Sequence, residues 1–273
     1  MFLSITELWK RNFMELLQLP ILNIKNGSIF SMYYTNRKGA YHRNPNIGYA
    51  IIGYHGCGKI SYTEYCLAGK QHKINKPAHI EYYENGQIKC ELYKVHRKTH
   101  KRNAPARIYY YENGQIKSEE YFINDKLHRP LDEGPAEIDY YKNGQISCEV
   151  YCINGKRHRL EDPARISYYE NGQIKSEEYW VNGRHHKPLD DGPARIDYYE
   201  NGKLFREQYW INNQKHKLEG PAIIQYHTNG KIQCEVYWVN DQKHRLEGPA
   251  YVLYDMEGQI LSEQYWVNDE LII

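Results

Sequence analysis

The chain has 273 residues, a formal net charge of +2, 26% charged and 41% hydrophobic residues, and a mean hydropathy of −0.84. The length allows one large domain or two small ones, and the charge balance excludes an acidic tail and a bulk polycation. With 28 Tyr against 5 Phe, the composition points to a thin core and a large surface, because a tyrosine can cover a surface while its hydroxyl stays wet.

The first element is "SITELWKRNFMELLQLP" (4–20). Ser4 and Glu7 form a capping-box pair. Ile5, Leu8, Trp9, Phe13, Leu16 and Leu17 fall on one helical face, and Pro20 stops the pattern. The expectation is a short amphipathic helix in residues 1–25, acting as a cap or as a docking helix. Glu7, Lys10 and Arg11 interrupt any leader-like apolar core, and no run of about 18 apolar residues exists. A cytoplasmic setting is therefore expected, with the membrane surface as an alternative contact.

From residue 26 onward the chain repeats itself. Pro recurs at 77, 105, 135, 163, 193, 221 and 249, with gaps of 28 or 30 residues, and Gly keeps the same gaps from 86 to 258. Eight units run from about 49 to 273, preceded by a half unit at 26–48. Fixed-period self-similarity is the mark of a repeat architecture. The 30-residue units carry their extra residues in one link, "HRPLDEGP" against "HKLEGP", which reads as a loop that tolerates insertion.

Within a unit, Asn-Gly at 85–86, 113–114, 143–144, 171–172, 201–202 and 229–230 predicts a two-residue type I′ turn. A second turn follows eleven residues later, as at Asn154-Gly155 and Asn182-Gly183. The stretch between, such as "QIKSEEYWV" (173–181), reads as one strand. Counting back from the turn pairs Tyr169 with Ile174, Ser167 with Ser176 and Arg165 with Glu178. A bulge at the Glu-Glu step would re-phase the second arm. In the unbulged register the unbroken Tyr, Ala and Ile/Val sites share one face, read as buried, and Arg165, Glu178, Ile174 and Trp180 share the other, read as partly wet. Stacked copies would add as adjoining rungs, which a single marginal hairpin cannot do alone.

The phrase "YYENGQIKSEEYWVNGRHH" (168–186) resembles the MORN repeat in its variant form, over residues 49–270 and more loosely 26–48. The resemblance implies stacked β-hairpins: an all-β, elongated, twisted antiparallel meander over residues 26–273, with the short N-terminal α-helix ahead of it. It also implies a non-enzymatic role in scaffolding or contact with another protein. Alternatives it implies are peripheral binding of acidic phospholipids and an antitoxin-like partner role. Typical MORN units have about 23 residues, and the extra length here lies in the link.

Several residue rows could carry chemistry. His72, His100, His128, His158, His186, His216 and His244 occupy one site in successive copies. Copies two strand spacings apart lie about 10 Å from one another, too far to share a zinc ion, whose ligands sit about 2 Å away. The cysteines alternate with Ser and Trp at their sites and read as small packing residues. Repeated Glu positions offer one environment many times, whereas a catalytic pair needs two. No catalytic residues, metal, cofactor, small-molecule substrate or nucleic-acid partner is expected. The candidate interaction surface is the margin carrying His128, Arg129, Lys156, Arg157, His158, Arg159, Lys215, His216, Lys217, Lys243, His244 and Arg245, together with Trp180, Trp210 and Trp238.

Overall fold

The computed structural model describes residues 19–272 apart from 45, 189 and 190. The helix expected within residues 4–20 lies outside the described residues, save for its last two positions, which are not helical. The fold is all-β: an antiparallel meander of hairpins in which each long arm pairs with the next in sequence. Two units divide the chain, Met1–Lys126 and Leu127–Ile273. Long hairpins in the first run from Ile21–Lys25 to Ile116–Glu120, and in the second from Glu137–Tyr140 to Ile260–Gln264.

The unit at 163–190 illustrates the copy. Arg165–Tyr168 pairs with Ile174–Glu178, with Arg165 opposite Glu178 and Ser167 opposite Ser176, as the sequence predicts. The third predicted pair is corrected. Ile174 lies opposite Tyr168, not Tyr169, because the register shifts between Ser167 and Tyr168. Lys175 is the extra residue of a β-bulge, and the same shift recurs in the other long hairpins, for example at Glu81/Tyr82 and Gln225/Tyr226. The bulge therefore sits beside the turn and not at the Glu-Glu step.

The first turn is also different from the type I′ expectation. Gly172 N–H donates to Tyr169 C=O at 2.9 Å, and Tyr169 N–H to Gln173 C=O at 2.8 Å. Gly172 has φ +83° whereas Asn171 is not in the positive region. This is a type I turn followed by a left-handed glycine, the three-residue hairpin loop. Asn171 Oδ1 accepts Gln173 N–H at 2.9 Å, so the asparagine acts as an Asx turn. The second turns are the type I′ ones: Asn154 and Gly155 have φ 52° and 80°, and Asn240 and Asp241 have 50° and 62°.

The predicted strand between the turns is broken at Tyr179. Its N–H leaves the hairpin and donates to Ala194 C=O of the next copy at 2.8 Å. Trp180–Val181 then pairs with Arg184–His185 as a separate short hairpin, so every complete copy is one long hairpin and one short one. At the junction the alanines at 50, 78, 106, 136, 164, 194, 222 and 250 have 0% exposure. Both backbone groups of Ala164 are used, by Glu178 C=O and Tyr151 N–H, and only a methyl group fits there.

Burial also departs from the sequence reading. The face read as partly wet holds most of the buried side chains of the arms: Cys90, Ser118, Cys148, Val150, Ser167, Ser176, Glu178 and Gln208. The short hairpins supply the reason, as one cluster joins Cys148 and Val150 of a long hairpin to Cys152, with Leu127 packed against it. The opposite face is half-covered by its own tyrosines. All six cysteines are free thiols, and burial pushes Cys66 and Cys90 up to about 12 and Cys152 up to about 11, consistent with packing roles.

The two glycine sites respond differently to substitution. Asp241 Oδ1 accepts Lys215 N–H of the preceding copy at 2.8 Å, and Asp269 serves Lys243 in the same way. Gly183 occupies the equivalent position, where an added Cβ meets Lys156 at an ordinary 3.5 Å. Gly183→Asp is expected to leave stability unchanged or raise it, by gaining the Arg157 N–H. Gly172→Ala, with nothing to gain at φ +83°, is expected to cost about 1 kcal/mol. Urea unfolding of the two variants checks both.

Candidate interaction surface

The short hairpins of the second unit carry the residues singled out from sequence, and the structure sorts them into three rows. The histidines are joints between copies. His128 Nδ1 accepts Asn154 N–H at 3.1 Å, His158 that of Asn182 at 3.1 Å, His216 that of Asn240 at 3.2 Å and His244 that of Asn268 at 3.2 Å. His186 serves Asn212 in the same way. In each bond the ring Nδ1 is the acceptor for a backbone N–H of the next copy. Among the described residues no group of three His, Cys, Asp or Glu side chains could hold a metal ion.

In four of these copies, at Arg159, Lys187, Lys217 and Arg245, the basic residue after the histidine lies over the tyrosine of its own copy. Arg159 sits 4.1 Å from the Tyr151 ring centroid, Lys217 3.6 Å from Tyr209 and Arg245 3.9 Å from Tyr237. Arg129, Arg159 and Arg245 also donate to the carbonyls of Pro135, Pro163 and Pro249. These cations therefore hold the link down on the tyrosine face. The leucines that follow them stay out: Leu160, Leu218 and Leu246 are 70%, 71% and 77% exposed.

The residue before each histidine belongs to the third row, which the sequence does not reveal as continuous. Arg157 lies 5.1 Å from the Trp180 centroid, and His185 lies between Trp180 at 4.5 Å and Trp210 at 5.2 Å. Lys215 follows, 5.4 Å from Trp210 and 4.4 Å from Trp238, and Lys243 lies 5.9 Å from Trp238 and 4.5 Å from Trp266. Tryptophans thus alternate with Arg157, His185, Lys215 and Lys243 through four copies; the Arg and Lys pairs are in the range of cation–π attraction, and His185 makes ring–ring contacts instead. Lys156 stands exposed beside this row. His185 and Trp266 are members that the candidate list lacks.

Behind Trp180 the slot is charged. Glu178, 5% exposed, accepts from Trp180 Nε1 at 3.1 Å and pairs with Arg165 at 2.9 Å and Arg195 at 3.4 Å. Arg195 and Arg206 both hold Asp197 at 2.9 Å. Further along, Gln208 and Val236 take the place of Glu178, and Trp210 Nε1 and Trp238 Nε1 are buried with no hydrogen-bond partner, as is His185 Nε2. The first unit repeats the acid–cation–acid arrangement with a titratable cation. His79 bridges Glu64 at 3.0 Å and Glu81 at 3.3 Å, and Lys89 holds Glu81 at 3.2 Å. These side chains line a shallow groove of about 340 Å³.

The repeated glutamates are partners of tyrosines rather than of one another. Tyr168, Tyr198, Tyr226 and Tyr254 donate their hydroxyls to Glu149, Glu177, Glu207 and Glu235 of the preceding copy at 2.6–2.8 Å. Burial and the neighbouring carboxylate together raise the Tyr168 hydroxyl well above its ordinary range. Tyr141, Tyr169 and Tyr199 reach the other way, to the carbonyls of Tyr168, Tyr198 and Tyr226. His227 stands in the same place and donates through Nε2 to Tyr254 C=O at 3.0 Å.

Two histidines give the units opposite responses to pH. Burial among the tryptophans pushes His185 down to about 4. The unfolded chain takes up that proton near 6.5 while the fold refuses it, so this contribution is full above pH 6.5 and is lost as pH falls toward 4. Burial works against charge on His79 too, but the hydrogen bond and charge of Glu64, with Glu81 behind them, raise it. Its contribution is full below 6.5 and disappears as pH climbs through the raised value. Amide exchange followed between pH 4 and 8 is expected to show these opposite trends around the two residues. His185→Leu, which places there the residue found at the equivalent Leu127, removes the acid-side trend.

Five stretches match the family model described as the MORN repeat variant: residues 78–93, 106–124, 164–182, 194–212 and 223–240. No curated protein matches the chain. Among solved structures, the crystal structure of TcdB2-TccC3-TEV matches at 12% identity and TM-score 0.18, covering 99% of this chain and 14% of that one. The Tc holotoxin pore of Photorhabdus luminescens matches at 12% identity and TM-score 0.17, covering 91% of this chain and 13% of that one. No helix among the described residues is long and apolar enough to cross a membrane. MORN repeats are commonly modules that bind proteins or membranes, and the fold is typically non-catalytic. All five matched stretches contain a long hairpin with its glycine turn, and these five repeats of the chain are repeats of the MORN variant type.

Proposed function

We propose that the chain is a non-enzymatic interaction module whose short-hairpin row in the second unit receives another protein. The observation that carries this reading is the alternating row of Trp180, Trp210, Trp238 and Trp266 with Arg157, Lys215 and Lys243. Tryptophan, tyrosine and arginine dominate the energetics of protein interfaces. Here their rotamers are fixed by one another before any partner arrives, which lowers the ordering cost of association. The half-buried rings keep part of their surface for contact.

A second reading, contact with an acidic membrane surface, is favoured by one observation. Leu160, Leu218 and Leu246 are exposed directly after Arg159, Lys217 and Arg245. Against it, these cations are engaged with their own tyrosines, Arg159 and Arg245 with proline carbonyls as well, and acidic residues follow in each link.

Quantitative capture of partners from the native source, with the intact chain and with Lys215→Ala/Lys243→Ala, tests the first reading. The double variant retains the backbone N–H groups that join the copies at 215 and 243; it is expected to keep the fold, checked by circular dichroism, and to lose at least about tenfold in affinity, roughly 1.4 kcal/mol. Unchanged capture overturns it. Flotation with phosphatidylserine vesicles at low and high salt separates the second. Flotation lost in high salt and in Leu218→Asp/Leu246→Asp would replace the protein partner with a membrane.

A further inference from the structure

The first hairpin is unlike the others in what it leaves uncovered. Ile21–Lys25 is exposed along its whole length, and among the described residues only Ser28–Tyr33 pairs with it. Leu22 lies opposite Met32 and Ile24 opposite Ile29. Cross-strand partners share a face, and Leu22 and Ile24 share it by the two-residue period of a strand. These side chains, with Phe30 at the register shift, form an apolar patch. Leu22, Ile24, Ile29 and Phe30 are 47%, 60%, 45% and 52% exposed. A bare, apolar edge hairpin is a template for unwanted pairing, and Lys25 is the sole charged residue of its two arms.

The sequence ahead of it is amphipathic. Residues 4–17 place Ile5, Leu8, Trp9, Phe13, Leu16 and Leu17 on one side of a helical wheel and Glu7, Lys10, Arg11 and Glu15 on the other. Fourteen helical residues extend about 21 Å, close to the roughly 17–20 Å of five- and six-residue strands. The tether is short: Gln18, Leu19 and Pro20 alone separate this stretch from Ile21. A segment held so near its target meets it at an effective concentration in the millimolar range, whereas a second copy or another protein must arrive by diffusion. Pro20 would end a helical stretch immediately before the first strand.

We propose that residues 4–17 fold as an amphipathic helix against the Leu22, Ile24, Ile29 and Phe30 face of the chain's own first hairpin. The helix is thereby a built-in cover for the array's first rung, and its own apolar face is not free for an outside partner. Leu19 and the arms from Ile21 onward belong to the rung, so the cap ends at Pro20.

Hydrogen exchange on the full chain tests this. Amides of residues 22–33 are expected to exchange about tenfold faster in Phe13→Asp than in the parent, and severalfold faster in the milder Leu16→Ala. Lys10→Glu on the polar side, and amides of the second unit in every variant, are expected to stay as in the parent. Equal exchange at 22–33 in parent and both apolar-face variants overturns the proposal. So does protection at 22–33 that rises with protein concentration together with a dimer in sedimentation, which would assign the face to a second copy.

Discussion

The structure depends on side chains of one copy satisfying the backbone and carboxylates of the next. A sheet covered on one face by two-residue hairpin arms alone has little apolar volume to bury, and the composition of this chain reflects that. What replaces a core is a set of directional bonds repeated at the period of the sequence. Tyr169 reaches forward to Tyr198 C=O, Tyr168 reaches back to Glu149, and His158 Nδ1 takes the Asn182 N–H. A net hydrogen bond contributes only about 1 kcal/mol, so no single one holds a copy in place. Several of them, with the methyl-sized slot at Ala164 and the short-hairpin cluster, fix its position. This is why the same residues return at the same offsets: a substitution must preserve a donor or acceptor aimed at a neighbour. His227 in a tyrosine place and Asp241 in a glycine place both do so.

Much of this architecture was legible before any coordinates. The proline and glycine periods give the copy number and the loop that absorbs two residues. The Arg165–Glu178 pairing and the use of cysteines as packing residues also follow from the pattern. The errors have local physical causes. The Asn-Gly pairs look identical in sequence, yet Asn171 spends its side chain on Gln173 N–H and keeps negative φ, while Asn154 enters the left-handed region. Lys175 becomes a bulge because the turn it follows already has three residues. The break at Tyr179 is invisible in "QIKSEEYWV", since strand propensity runs through it and the bond that breaks it goes to Ala194 of another copy.

The candidate surface was readable as composition and not as geometry. Basic residues around each histidine suggested a charged margin, but the residue before the histidine enters the tryptophan row, the one after it covers a tyrosine, and the ring itself joins two copies. His185 illustrates the limit. In "GRHHK" it looks like one more exposed base, and only the stacking of copies reveals it as a neutral, buried ring held between tryptophans. The same place is taken by Leu127, Arg157, Lys215 and Lys243, which differ in charge and length but each bring an aliphatic stem to it. Glu178 or Val150 behind it then sets whether that slot is charged or oily.

The link that lengthens from "HKLEGP" to "HRPLDEGP" leaves the bonds on either side unchanged, since His128 and His216 serve their neighbours alike. Damage in such a fabric stays local. A copy that unravels releases the grip of its immediate neighbours alone, much as a dropped stitch loosens adjacent rows, and the remaining rows keep their own fastenings. Such an array should melt by fraying in steps of one unit, and its tolerance for duplicated or deleted units is built into a seam that can be two residues longer without disturbing the weave.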